Sequence, residues 1–325
     1  MTTYKDIHGT QVEVRSDDPS NPVNGQIWYN TTDRKLRGGK FAAAAWASGG
    51  NLNTARASMS TAGTQTSAIG AGGYNPGGRS AASESYNGSA WTETNDLNAA
   101  RQLSPTAGES NTAALVFGGT PGSGYVNSTE AWNGTSWTEV NNLPSAKGYG
   151  MGFGVKAAAV FAGGTPPNYL ATTEKWDGTN WTEVNAINTA RAYGAGVGTT
   201  TSGLIFGGST STAKVAITEH YNGTNWTEVA DLNQSRASMA GSGASHTAAL
   251  AFGGEVGPPT GKTESWNGTA WTEITDLSSA RQYLSGTGTQ TTSLAYGGNN
   301  GSTYAVGFVE EFNGAGVNTS DFDLS

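Results

Sequence analysis

The chain contains no cysteine, which excludes disulfides, thiolate zinc sites and cysteine nucleophiles. Charge is scarce as well: 13% of residues are charged, only three are histidine, and 17 Lys+Arg stand against 25 Asp+Glu for a net charge of −8. The basic residues are scattered, so no positive footprint for nucleic acid or an anionic membrane is expected. Apolar runs are short. The segment FAAAAWA (41–47) falls well below the ~20 residues that span a bilayer. The opening MTTYKDIHGT lacks a basic stretch followed by an apolar one, so no secretory signal is expected.

What the chain has is glycine, 48 of 325 residues, and tryptophan, 10. Together with many threonines these suit short strands joined by tight turns. The tripeptide Trp-Thr-Glu begins at Trp91, Trp137, Trp181, Trp226 and Trp271, at spacings of 46, 44, 45 and 45, and Trp46 lies 45 before the first. Other features keep this period. A Gly-Gly pair ends a short apolar run at Gly72, Gly118, Gly163, Gly207, Gly253 and Gly297. An aromatic residue followed by Asn/Asp-Gly starts at Tyr86, Trp132, Trp176, Tyr221, Trp266 and Phe312. A basic residue recurs at Arg56, Arg101, Lys147, Arg191, Arg236 and Arg281. A glutamate recurs two before each aromatic, at Glu84, Glu130, Glu174, Glu219, Glu264 and Glu310.

Each unit reads as four strands: one after the basic residue (191–199), one ending at Gly-Gly (113–119), one ending at the aromatic (128–132) and one carrying Trp-Thr-Glu (136–140). Asn-Gly between the last two is a tight hairpin signal. A 45-residue, four-stranded unit has the size of one propeller blade, and paired aromatics such as Trp132 and Trp137 supply apolar area between blades. On these residues the chain over 41–325 resembles the kelch repeat family: a basic residue opening the first strand, Gly-Gly closing the second, an aromatic in the third, a tryptophan in the fourth. The resemblance implies an all-β, six-bladed propeller and says little about function. The last unit lacks its tryptophan, with Val317 in its place. Either the strand around Trp46 closes the ring, hiding free edges, or 315–325 completes its own blade.

Residues 1–40 fall outside the repeat and form a β arm. They contain VEV (12–14) and QIWYNTTDRKLRGG (26–39), a hairpin pattern with its turn at Asn30 to Asp33. The Gly-Gln-Ile-Trp-Tyr-Asn stretch resembles a segment common near the start of bacteriophage tail and fibre proteins, which implies an anchoring role through Ile27, Trp28 and Tyr29 to other virion proteins. A strand apolar on both faces needs cover on both.

Catalytic chemistry finds little support. Copper radical enzymes built on kelch propellers need a cysteine. The three histidines, His8, His220 and His246, stand in unlike contexts, so no metal site is expected. Asp177-Gly178-Thr179-Asn180-Trp181 comes near the Asp-box of sialidases but lacks one residue, and the periodic arginines and glutamates do not make the unique acid pair of a glycosidase. Six cations and six glutamates in register read as structural ion pairs, with an anion-binding ring at a channel mouth as the functional alternative. Asn-Gly-Thr/Ser at 87, 133, 222 and 267 reads as turn chemistry rather than glycosylation.

The loops after Gly-Gly vary most and carry Tyr74, Tyr125, Tyr169 and Tyr304. Variable, proline-stiffened, tyrosine-bearing loops on a rigid scaffold are where ligand binding is expected. The functional expectation is therefore a binding protein without catalytic residues or cofactor: a bacteriophage virion component (tail fibre, tail tip or capsid decoration) presenting the propeller to a host-surface glycan or protein, with a homo-oligomer among the assemblies open to it. An intracellular, cytoplasmic kelch adaptor is the alternative, and a sialidase-like hydrolase the remote one.

Overall fold

The computed structural model describes residues 12–321. Among these residues there are strands and no helix. The chain divides into two compact units, one of residues up to Ala45 with Asn313 onward, the other Trp46–Phe312.

The larger unit is built of four-stranded antiparallel sheets in a propeller-like arrangement, one per repeat. The third is representative, with strands Met151–Val155, Ala158–Ala162, Thr173–Trp176 and Trp181–Val184. Its second strand is buried along nearly its whole length and its fourth is exposed after the tryptophan, so each sheet runs from a buried inner strand to a wet outer one. The first strands begin later than the sequence suggested: Arg191 to Gly194 lead into a strand that starts at Ala195. The hairpin turns are held by their Asn or Asp. Asn133 Oδ1 accepts the amides of Thr135 and Ser136 at 2.9 Å each, while Gly134 takes φ = 93°, which a side chain would oppose. Backbone bonds of the same kind from Thr179 and Asn180 hold the Asp177 carboxyl below its usual range.

In the last sheet, Ser285–Gly288, Thr292–Tyr296 and Val309–Asn313 are completed by Ala45–Ser48, which lies beside Val309–Asn313. Trp46 thus holds the register of the other Trp-Thr-Glu tryptophans, and its contacts agree. In the second, third and fifth sheets this indole N–H donates to a hydroxyl one before the glutamate of the preceding sheet: Trp137 to Ser83, Trp181 to Thr129 and Trp271 to Thr218, at 3.1–3.2 Å. Trp46 donates to Thr263 at 3.2 Å. Its ring also packs on Phe252 and Phe312, with centroids 5.0 and 5.2 Å away. Each such tryptophan removes on the order of 150–250 Å² from water and fixes the spacing of neighbouring sheets.

Residues 316–321 do not complete a repeat. The strand Gly316–Asp321 pairs antiparallel with Lys35–Ala42, from Ala42↔Gly316 to Arg37↔Asp321. It joins Glu13–Arg15 and Ile27–Asn30 in a four-stranded sheet of the smaller unit. The arm is therefore larger than residues 1–40, and the boundary at 41 and the assignment of the C-terminal stretch to the repeats are corrected. The reason is charge and register: Asp321 reaches Lys35 and, at 2.8 Å, Arg37. The expected 26–39 hairpin is present, with Asn30 Oδ1 accepting the amides of Thr32 and Asp33. Trp28 is fully buried, and its indole N–H donates to Asp18 at 2.8 Å. Bonds from Arg37 first, then Asn30 and Trp28, hold the Asp18 carboxyl far below the usual carboxylate range. The Trp28 face of the strand thus has a polar lid within the arm, while Ile27 and Tyr29 on the other face are half-buried.

Two of these tryptophans have no acceptor, Trp91 and Trp226. For Trp226 the matching register holds Thr173, whose hydroxyl is likewise buried without a partner. For Trp91 the register in the preceding sheet holds Val309, within the same apolar cluster, where the other sheets carry Ser or Thr. Val309→Thr is expected to raise stability by up to about 1 kcal/mol, seen as a melting temperature about 2 °C higher. A fall in melting temperature would show that the added hydroxyl stays unpaired.

Candidate functional site

The six cations and six glutamates meet in pairs, one pair within each sheet. Arg56–Glu84, Arg236–Glu264 and Arg281–Glu310 lie at 2.7, 3.0 and 2.9 Å. Arg101–Glu130, Lys147–Glu174 and Arg191–Glu219 are also in contact. All twelve residues are buried, so they do not form an open anion-binding ring. The cation also clamps the loop after Gly-Gly: Arg281 donates to the carbonyls of Gly297 and Phe308 at 3.1 and 2.8 Å, and Arg56 to that of Gly72 at 3.0 Å. The second glutamate oxygen accepts an amide of the incoming connector, from Asn53, Asn98, Asn188, Asn233 or Ser278, at 2.7–2.8 Å.

The exception is Glu174, whose Oε2 is buried without a partner. Pro144 stands in the connector position of its sheet and has no N–H to give. Burial pushes the Glu174 carboxyl up and the Lys147 ammonium down, each partly offset by the other's charge.

The carbonyl of each basic residue ties its sheet to the one before it. The Gly164 amide donates to Arg191 O and the Gly298 amide to Arg56 O, both at 2.9 Å. This approach explains the glycines: a Cβ on Gly163 would stand 2.3 Å from Arg191 O, and Gly163 also has φ = 67°.

Two residues beyond each cation, the backbone turns left-handed. Ser58, Leu103, Tyr149, Tyr193, Ser238 and Tyr283 all have φ between 52 and 64°, which costs a non-glycine residue roughly 1–2 kcal/mol. Their peptide groups form a cycle. The amides of Leu103, Tyr149, Tyr193, Ser238, Tyr283 and Ser58 each donate to the carbonyl of the residue one repeat back, Ser58 to Tyr283, at 2.8–3.1 Å. Six strained turns are thus fixed in a hydrogen-bonded ring. Strain of this kind persists where surrounding structure over-determines it, and it concentrates at binding sites.

This ring surrounds a cavity of about 120 Å³ whose walls include Tyr149, Tyr193, Tyr283, Met59, Met239 and the ring serines. A second cavity of about 150 Å³ lies among the inner strands and is lined mostly by glycines and Thr61, Thr106 and Thr287. The first is the better candidate site because its wall offers aromatic faces and hydroxyls together.

The loops after Gly-Gly open on the side of the ring, each bridging the segment that carries the strained residue: Ala57↔Tyr74, Gly148↔Thr165, Gln282↔Asn299. The loop tyrosines extend the axial ones. Tyr125 packs on Tyr149 and Tyr149 on Tyr193, with centroids 5.9 and 4.6 Å apart, and Tyr74 packs on Tyr304 at 4.9 Å. Burial, then neighbouring Tyr149, Tyr283, Tyr169 and Tyr125, pushes the Tyr193 hydroxyl well above its ordinary value. Tyr74, Tyr125, Tyr169 and Tyr304 therefore converge with three tyrosines that sequence reasoning took for strand residues. Little in the sequence warned of them: at two beyond the cation it varies among Ser, Leu and Tyr, and the positions on either side vary as much.

His220 and His246 stack between adjacent sheets, with centroids 3.9 Å apart and planes at 21°, and His246 Nδ1 lies 2.7 Å from Ser202 Oγ. His8 lies outside the described residues. Among the described residues no group of three or more His, Asp or Glu is placed to hold a metal ion. No family model matches the chain, and a comparison with curated proteins finds no significant relative.

Arg191→Ala strands a buried carboxylate and is expected to cost about 3–5 kcal/mol in chemical unfolding. Pro144→Asn supplies the missing amide. A hydrogen bond to a charged acceptor, about 1.5–3 kcal/mol, less the ~0.4–1 kcal/mol by which proline restricts the unfolded chain, leaves a gain of about 1 kcal/mol; no gain would mean that the connector cannot reach Glu174.

Burial first, then His246, lowers the His220 pKa. The folded state then binds fewer protons than the unfolded chain below about pH 6.5, so stability is full above that pH and is lost as pH falls toward the lowered pKa. Urea unfolding at pH 7.5 and pH 5 is expected to show this loss, and His220→Gln to reduce it. An unchanged pH dependence would assign the loss to other groups.

Proposed function

We propose that the larger unit is a six-bladed, kelch-like propeller and that the tyrosine-lined mouth around its axis is a ligand-binding site, without catalysis, for a host-surface glycan or protein. We further propose that the chain is a bacteriophage virion component, with the arm as its anchor. The observation that carries the binding reading is the convergence of Tyr74, Tyr125, Tyr149, Tyr169, Tyr193, Tyr283 and Tyr304 on one hydrogen-bonded ring. Tyrosine supplies rigid contact area at low entropic cost and a polar tip. Loops clamped by buried ion pairs hold those rings in place before the ligand arrives, which reduces the ordering cost of binding.

The anchoring reading rests on the arm being a compact unit of its own that exposes Val12, Val14, Val23 and Phe41, and on the Gln-Ile-Trp-Tyr-Asn strand. Such exposed apolar side chains are available to an assembly partner.

The decisive experiment measures attachment of the purified chain to host cells. Tyr149→Ala combined with Tyr304→Ala is expected to reduce attachment at least tenfold, with the chain still folded by circular dichroism. Wild-type attachment by this double variant would overturn the assignment of the mouth.

A further inference from the structure

The charges on the mouth face are few. Among the loops after Gly-Gly, the charged residues are Arg79, Lys214, Glu255 and Lys262. Lys214 pairs with Glu255 at 3.5 Å, and Lys262 pairs with Glu273 and Asp276. Arg79 makes no ion pair among the described residues, and its Nε is buried without a hydrogen-bond partner. It stands opposite Tyr74 in the two-stranded ladder Tyr74–Asn75/Gly78–Arg79, and Tyr74 packs on Tyr304. Its charge is felt by the hydroxyls of both Tyr149 and Tyr304. A guanidinium, always charged, with five donors in a planar fork, thus stands beside Tyr74 with no anion paired to it among the described residues.

The lining narrows the kind of ligand. The backbone groups of the ring residues are spent on one another, so the ring itself offers no strand edge to which a peptide could add. What it offers is aromatic faces, hydroxyls from Ser58, Ser104 and Ser238, and a cavity of about 120 Å³, features that suit a compact polyhydroxylated ring. Beyond a Debye length of about 8–10 Å the net charge of −8 is largely screened, so at close range the local charge of Arg79 decides which group is attracted.

We propose that the mouth recognises an acidic saccharide, whose carboxylate or sulfate pairs with Arg79 while its sugar rings lie against the tyrosines. This rests on the reading of the mouth as a binding site.

The test uses the full chain against immobilised lactose and its sialylated, glucuronate-capped and sulfated forms, with an acidic peptide alongside. The wild type is expected to bind at least one acidic form about tenfold or more tighter than lactose, the size of one charge-assisted hydrogen bond. Arg79→Gln is expected to bring that affinity down to that of lactose, and Arg79→Lys to retain part of the difference. The preference is also expected to weaken with salt. Equal binding of acidic and neutral forms, a preference that survives Arg79→Gln, or binding of the acidic peptide alone would overturn the proposal. In the first two cases, loss of binding in Tyr149→Ala would leave the mouth standing as the site. Binding unaffected by Tyr149→Ala, or no binding of any probe, would overturn the saccharide proposal together with the reading it rests on.

Discussion

A buried cation must find an anion, and this requirement organises every repeat. An unpaired arginine or lysine away from water costs several kcal/mol, so each sheet carries a glutamate across from its third strand to meet the cation before its first. The pair draws in more than two side chains. The cation's remaining donors hold the carbonyls of the Gly-Gly loop, and the glutamate's second oxygen holds the connector from the preceding sheet. The backbone carbonyl of the same basic residue accepts from the preceding sheet's glycine. In five of the six repeats the pair thereby fixes a loop, a connector and a sheet-to-sheet contact; in the third, Lys147 and Glu174 lack the loop carbonyl and the connector amide.

The axial ring depends on this arrangement. Ser58, Leu103, Tyr149, Tyr193, Ser238 and Tyr283 sit two residues beyond the cations, in a conformation that bulky residues avoid. They keep it because the cation on one side and the hydrogen-bonded cycle on the other leave no alternative. The side chains thereby line the cavity, and variation at this one position, serine or leucine or tyrosine, changes the chemistry of its wall.

Much of this was legible in the sequence because it repeats. The glycine pairs, the turn Asn or Asp residues and the basic–glutamate register each occur six times at one period, and chance does not align them. Trp46 was legible for the same reason, as a tryptophan in register with no unit of its own. What did not repeat was harder to read. Tyr149, Tyr193 and Tyr283 look like strand residues because nothing local announces a left-handed turn at a non-glycine. The pairing of 316–321 with Lys35–Ala42 joins segments some 280 residues apart through short polar strands, which carry no periodic signal. Pro144 marks a broken hydrogen bond only once Glu174 is seen to reach for it. Arg79 lies outside every register, which hid it from a repeat-based reading and leaves it free of the pairing that engages the periodic cations.

The central claim is that the six sheets are held as one closed cycle through the axial ring. Native-state hydrogen exchange of the amides of Ser58, Leu103, Tyr149, Tyr193, Ser238 and Tyr283 tests it most directly. A closed cycle predicts that all six exchange with one common free energy, near that of global unfolding, and that Arg191→Ala lowers the protection of all six together. Six different free energies, or a loss of protection confined to Tyr193 and its two neighbours, would contradict it.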